Sequence, residues 1–316
     1  MSAEAVSSRA SGAGTRPRPA ASGPAVWAGV AGALTIAFSA ILVRLADVSP
    51  VTAAVFRCAY ALPPLAVLAL LERRRYGRRP PAQRALALGA GVFFIADLTF
   101  WHYSIAAVGA GLATVLGNLQ VLFVALLAWL LLGERPAPRL FAAVPVVLVG
   151  VVLISGVIGA GAYGEAPALG VVFGILTGIT YAGFILVLRQ GNRDIRRPAG
   201  PLFDATLVAT LVGIPAGMLI GDLDLEPSWP AHAWLLTLAL TSQVLGWMLI
   251  STSLPRLPAA LTGVLLTLQP VGSVLLGVAL LGEAPSSFQL AGVVVIVAAI
   301  ALATSGRRDR SAAVSP

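Results

Sequence analysis

One acidic side chain, Asp97, lies near the centre of an apolar run at 85–107. A carboxylate at that depth in hydrocarbon costs about 2.5 to 3.5 kcal/mol, so something must justify it. Trp101 and Ser104 follow at i+4 and i+7 and share its helix face. That combination suits a solute site lining a cavity: the carboxyl group exchanges a proton and the indole stacks on an apolar or aromatic solute. The structural alternative is a buried ion pair with Arg57, placed in the adjacent run about one helical turn nearer the outer surface, which protonation could open.

Gln243 and Trp247 show the same i, i+4 spacing in a later run, and read either as a counterpart of that pair or as an aromatic contact beside a hydrogen-bonded amide. Gly111, Thr114 and Asn118 lie at i, i+3 and i+7, with Gln120 projecting elsewhere. Side chains of this kind contact solute or let helices pack closely and hydrogen-bond across. Tyr181 and Gln269 complete the candidate substrate contacts, with Tyr103 and His102 weaker, and His232, flanked by Trp229 and Trp234, reads as an interfacial anchor. Glu134 and Glu283 stand where one run ends and the next begins. A carboxylate there favours the N-terminus of the following helix, with gating as its alternative role. Arg57, Asp97, Glu134 and Glu283 are thus the candidates for coupling or gating.

The remaining inventory removes most enzyme templates. All 21 basic residues are arginine. Without lysine there is no P-loop and no Schiff-base or pyridoxal-phosphate chemistry. A single cysteine, Cys58, excludes disulfides within the chain and CxxC sites, and His102 and His232 are too few and too far apart for a zinc set. No cofactor and no catalytic residue is expected.

The elements that must position these residues follow from composition. Charged residues are 11% of the 316, against 58% hydrophobic, with a net charge of +8. A soluble domain carries roughly 25% charged residues, so this chain cannot cover a water-exposed sphere. Ten apolar runs, at 26–46, 51–71, 85–107, 111–132, 138–158, 168–189, 201–221, 231–253, 258–281 and 287–305, are each near the spanning length of about 20 residues. Residues 1–25, rich in Ser, Ala, Gly, Pro and Arg, read as a disordered tail, with an organelle transit peptide as the alternative. A second tail covers 306–316.

Arginine placement gives a separate signal, because cytoplasmic loops collect positive charge. With both termini inside, 19 of the arginines fall on the inner side and only Arg44 and Arg57 toward the outer half, while the loop holding Asp222, Asp224 and Glu226 has none. The basic charge therefore reflects topology at a lipid surface rather than nucleic-acid binding. The expectation is a cytoplasmic-membrane protein of all-α class with ten spans.

The end of the fourth run, LLGERPAP from Leu131, is echoed by LLGEAPSS from Leu280. At a shift of 149 residues Gly133 and Glu134 fall on Gly282 and Glu283, Gln120 on Gln269 and Ser104 on Ser253. A duplication with five spans per half forces the halves, 26–158 and 168–305, to insert in opposite directions, an inverted repeat typical of secondary transporters.

These segments, with FRCAYALPPLAVLALL around Arg57, LLAWLLLGERPAP, and TLQPVGSVLLGVALLGEAPSSFQLAG, resemble the EamA family of the drug/metabolite transporter superfamily over nearly all of 26–305. The family often carries Pro in the middle of both repeat-final long helices; here Pro270 is present but Val121 takes the matching place. The resemblance implies a secondary carrier, favouring export of a metabolite, amino acid or drug by alternating access, with a small-molecule substrate, membrane lipid and a proton as partners and a homodimer left open. A membrane-embedded enzyme and a passive channel are the competing readings. Reporter fusions in 73–84 and in 189–197 are expected to report the same, cytoplasmic side; opposite sides would overturn the topology.

Overall fold

The structure, a computed structural model, describes residues 23–192, 194–253, 256–257 and 259–304. Most of both expected tails, and Arg193, lie outside the described residues. Every regular element among those described is helical. In chain order these are α1 (Gly23–Ala37), α2 (Ser39–Ala46), α3 (Pro50–Tyr76), α4 (Pro81–Val108), α5 (Ala110–Gly117), α6 (Gln120–Leu132) and α7 (Pro138–Ile154). After a linker come α8 (Pro167–Gly191), α9 (Ala199–Ile220), α10 (Ala231–Leu238), a π-helical segment (Ala239–Gly246), α11 (Trp247–Ser253), α12 (Ala259–Leu281) and α13 (Ser287–Thr304). Proline opens α3, α4, α7 and α8, where its missing N–H would have had no intrahelical acceptor.

Eight helical stretches have the length and hydropathy of a membrane span: Gly23–Ala46, Pro50–Tyr76, Pro81–Val108, Ala110–Leu132, Pro167–Gly191, Ala199–Ile220, Ala231–Ser253 and Ser287–Thr304. Two further apolar helical stretches, Pro138–Ile154 and Thr267–Leu281, are shorter. The fifth expected run gives only 17 residues, about 25 Å of helix, because the chain leaves helical geometry after Ser155, where Gly156 takes φ +73°. Large apolar side chains such as Leu130, Leu131, Leu219 and Val294 face outward, as lipid contact requires. This is a multi-pass membrane protein.

Span four, rather than the span with a mid-helix proline, is the interrupted one. α12 runs unbroken through Pro270, whereas α5 and α6 are separated at Asn118 and Leu119. Asn118 Nδ2 donates back to Thr114 O at 2.8 Å, and the next amides bond three residues back, Leu119 to Leu116 O at 3.0 Å and Leu122 to Leu119 O at 2.9 Å. An amide side chain that competes for a backbone carbonyl loosens the regular ladder, and the tighter turn takes its place.

Three of the helices of the first half, α3, α5 and α7, lie against the helices matched to them by the 149-residue shift and run antiparallel to them. In the α3–α9 pair, Ser49 Oγ and Val51 N, at the start of α3, donate to Asp222 just beyond α9, while Glu72 near the end of α3 accepts from Ala199 N and Gly200 N, both at 2.8 Å. In the α7–α13 pair, Gln289 Nε2 near the start of α13 donates to Ile154 O at the end of α7. In the α5–α12 pair, Gly111 approaches Val274 late in α12. α4 packs most extensively on α8 and also on α9, so the main helix contacts join the two halves of the chain. The linker between α7 and α8 is fastened by Gln289, whose amide takes Tyr163 N at 2.8 Å and gives to Tyr163 O at 3.0 Å.

Close approach of α4 and α9 requires Gly91, where a Cβ would stand 2.4 Å from Ala205 O. Gly91→Leu is expected to force the helices apart and lower stability by about 1 to 3 kcal/mol, read as a fall in Tm of the purified protein. Gly89→Ala on the same helix, where a Cβ meets nothing within 4 Å, should leave Tm unchanged or raise it.

Candidate functional site

Side chains from both halves meet in the bundle interior around Arg57. Its guanidinium is 4% exposed, and Nε donates to Gln243 Oε1 at 3.0 Å. Gln243 Nε2 donates in turn to Thr206 Oγ1 at 3.3 Å. Gln243 belongs to the π-helical segment, and a wide turn of that kind re-aims a side chain that regular geometry would place elsewhere. Arg57 also lies 5.7 Å from the Trp101 ring centroid, a cation–π contact. Its Nη1 is buried without a hydrogen-bond partner among the described residues.

Asp97 is 6% exposed and feels the charge of Arg57. The two do not form the ion pair offered as the structural alternative, because Arg57 is turned toward Gln243 and Trp101. Asp97 makes no hydrogen bond with any described residue. Arg57 and Asp97 thus stand close enough to interact electrostatically, each with polar capacity left over, which is an arrangement suited to an added ligand.

An aromatic wall adjoins them. The half-buried Tyr181, in electrostatic reach of both Arg57 and Asp97, meets Trp247 edge-on at 6.3 Å and stacks on Phe184 at 6.1 Å. Phe184 stacks on Phe94 at 4.5 Å and is met edge-on by Trp247 at 5.6 Å. On the other side Trp101 lies against Gly117, beside the break in span four. Of the residues singled out in sequence, Arg57, Asp97, Trp101, Tyr181, Gln243 and Trp247 therefore come together.

Others do not join them. Ser104 donates to Gly170 O at 2.8 Å, so it bonds α4 to α8 instead of facing the cluster. Asn118 is bonded within its own helix turn. Gln120 is buried and Gln269 half-buried, and neither side chain hydrogen-bonds a described residue. His102 is the exception: buried, with Nδ1 at 3.1 Å from Pro50 O, its ring lies 5.3 Å from that of Trp101 and in electrostatic reach of Arg57, at the edge of the cluster, while Tyr103 donates to Asp222 Oδ2 at 2.7 Å at the bundle end. His232 Nδ1 lies 2.6 Å from Tyr60 Oη, with Phe56 edge-on at 4.5 Å, so it packs on α3.

The two repeated glutamates take different partners, and neither caps the helix that follows it. Glu283 is 2% exposed and accepts from Ala110 N at 2.5 Å and Gly111 N at 3.0 Å, so it caps α5 in the other half. Glu134 is exposed and pairs with Arg189 at 2.5 Å. The cause is local: Gly133 and Gly282 adopt φ +69° and +65°, and the next amide returns to Ala128 O or Gly277 O. Each glutamate is thereby turned back toward a neighbouring helix end.

Two acidic residues absent from the sequence reading matter at the arginine-rich end. Asp204 of α9 is 2% exposed and binds Arg79 at 2.5 Å, and Glu72 caps α9. Asp204, inside the run at 201–221, carried the same signal that flagged Asp97, an acid within a span. Nearby, the hydrogen bond from Arg196 holds the Asp194 carboxyl down at about 2. Among the described residues no group of three or more His, Cys, Asp or Glu could hold a metal.

Comparison with known proteins gives two matches to the EamA-like transporter family, at residues 23–156 and 168–305. The chain belongs to this family. EamA proteins fall within the drug/metabolite transporter superfamily. An uncharacterized transporter from Synechocystis sp. (strain ATCC 27184 / PCC 6803 / Kazusa) is 29% identical over 138 residues, 39% of this chain and 41% of that protein. The match thus spans about two-fifths of that relative's length. A protein of known crystal structure shares the fold, with a TM-score of 0.59 and 18% identity over 89% of this chain and 96% of that one.

For this EamA protein, removing the α5 cap is the decisive structural perturbation. Glu283→Ala leaves the Ala110 and Gly111 amides without an acceptor and is expected to destabilise the protein by about 1 to 3 kcal/mol, measured as a lowered Tm. Glu134→Ala breaks only an exposed pair and should shift stability by less than about 1 kcal/mol.

Proposed function

We propose that the protein is a proton-coupled secondary carrier of the cytoplasmic membrane that exports a small amphipathic organic solute by alternating access. The observation that carries this reading is the unpaired juxtaposition of Arg57 and Asp97. A buried guanidinium whose Nη1 has no partner among the described residues, and a buried carboxyl group with no hydrogen bond to any of them, stand beside one aromatic wall. A solute with an anionic group, an amine and an apolar body fits: Arg57 takes the anion, Asp97 the amine, and Trp101, Tyr181 and Trp247 the apolar part. In the absence of solute Asp97 takes a proton, so solute and proton exchange at one carboxyl group.

In this reading the chain has ten spans, as two inverted five-helix halves, 26–158 and 168–305, with both termini cytoplasmic. The antiparallel packing of α3 on α9, α5 on α12 and α7 on α13 supports inversion. The halves rock about the Arg57–Gln243 bridge. Glu283, capping α5, holds one end closed; Glu134, its repeat partner, serves as the corresponding latch at the other end when the halves exchange positions. The break at Asn118 supplies a joint within span four. Gln120 and Gln269 are assigned to solute contact in the course of that movement.

Proteoliposomes test the central claim. Asp97→Asn is expected to retain counterflow of the solute while losing accumulation driven by a pH gradient. Arg57→Gln should weaken solute binding on the order of tenfold or more, the loss of one charge-assisted bond. Undiminished pH-driven transport by Asp97→Asn would remove Asp97 from coupling, and chemical change of the solute during counterflow would favour the enzyme reading.

A further inference from the structure

A second polar site lies at the arginine-rich end, away from the cluster around Arg57. A cavity of about 510 Å³ opens between α3, α4 and α9. Its cationic lining is Arg73, Arg78, Arg79, Arg84 and Arg197, and the acids present are Glu72 and Asp204. A second hollow of about 430 Å³ shares Arg78, Arg79 and Arg197. Both halves of the chain contribute.

The acids do not neutralise this lining. Both oxygens of Glu72 are engaged by the Ala199 and Gly200 amides. Asp204 is engaged by Arg79 at 2.5 Å, with Arg84 at 3.7 Å. Arg197 is drawn to Asp194 at 3.3 Å and donates to Tyr76 O. Among the described residues the side chains of Arg73 and Arg78 make no ion pair or hydrogen bond, and Arg79 keeps Nη1 buried without a partner. A dense set of guanidinium donors with unused capacity matches a phosphate, whose several oxygens accept forked pairs. Part of the lining is apolar, formed by Ala66, Ala69, Leu70 and Phe203, and Leu70 is also exposed at the surface of α3. A phosphate joined to an apolar chain satisfies both the cationic and the apolar part.

We infer that this cavity binds a phosphate-bearing anion, supplied by the headgroup of an anionic phospholipid, and that the bound phosphate braces the α3–α4 turn against the start of α9. The inference rests on the cavity lining and not on the transport reading. Basic pockets between membrane helices take anionic headgroups in this way.

The test uses the full-length protein, purified in neutral detergent and stripped of lipid, with Tm followed during titration. Phosphatidylglycerol is expected to raise Tm saturably, and phosphatidylcholine to do so weakly or not at all. Arg73→Gln and Arg78→Gln, which break no internal bond, should each weaken the phosphatidylglycerol effect on the order of tenfold at unchanged ligand-free Tm. Arg74→Gln, on the same helix end but outside the cavity, should match the parent protein. Inorganic phosphate and glycerol 3-phosphate form the second arm: if they stabilise to the same extent and compete with phosphatidylglycerol, the phosphate chemistry stands and its source is a soluble anion. Equal stabilisation by phosphatidylcholine, no stabilisation by any phosphate, or an undiminished effect in Arg73→Gln and Arg78→Gln would overturn the inference.

Discussion

Hydrocarbon offers no partner to a hydrogen-bonding group, so each polar side chain inside a span must find one within the protein. Gln243 answers that constraint for Arg57. Its amide joins the guanidinium on α3 to Thr206 on α9, and at the 149-residue shift those two positions are equivalents. One side chain therefore connects repeat-related sites from outside the pair, and it reaches them from a π-helical segment. The bond also decides what is left over. With Nε given to Gln243, the guanidinium does not close on Asp97, and the unpaired carboxyl group that makes the cluster a candidate site follows from that geometry.

The remainder of the bundle holds this arrangement from both ends. Near one end Asp222 gathers Ser49, Val51 and Tyr103, and at the other Glu72 and the Arg79–Asp204 pair fix the start of α9. Between these clasps α3 and α9 cannot slide freely along each other. Glu283 on α5 has no such counterpart at Glu134, which faces Arg189 instead. Repeat-related residues thus have unequal surroundings.

What was legible in the sequence is what hydrophobicity and charge determine directly. Helical spans follow from apolar runs, and Asp97, Arg57, Trp101, Gln243, Trp247 and Tyr181 were visible as polar or aromatic groups within them. Less visible was anything set by contacts between distant segments. The sequence shows only that Val121 stands in span four where span nine has Pro270, whereas the break comes with Asn118 bonding to Thr114. The glutamate caps were assigned to the following helix because neighbours in sequence are the natural first choice; the glycine turns direct them elsewhere. The ion pair of Asp97 with Arg57 was a sound inference from two opposite charges, and it fails because a neutral amide competes for the guanidinium. Asp204 is a plain omission, since the rule applied to Asp97 covers it.

The pattern of helix contacts also bears on how such a chain could have arisen. α4 rests on α8 and α9, and α3, α5 and α7 each rest on their own repeat-equivalents, so a lone set of five helices would leave most of its packing faces bare. A chain holding only the first half would lack the partners that α3, α5 and α7 find in the second. In the joined chain the connection at 155–166 adds certainty of pairing and frees each half to diverge, which is how Glu134 and Glu283 can share an ancestry and differ in employment.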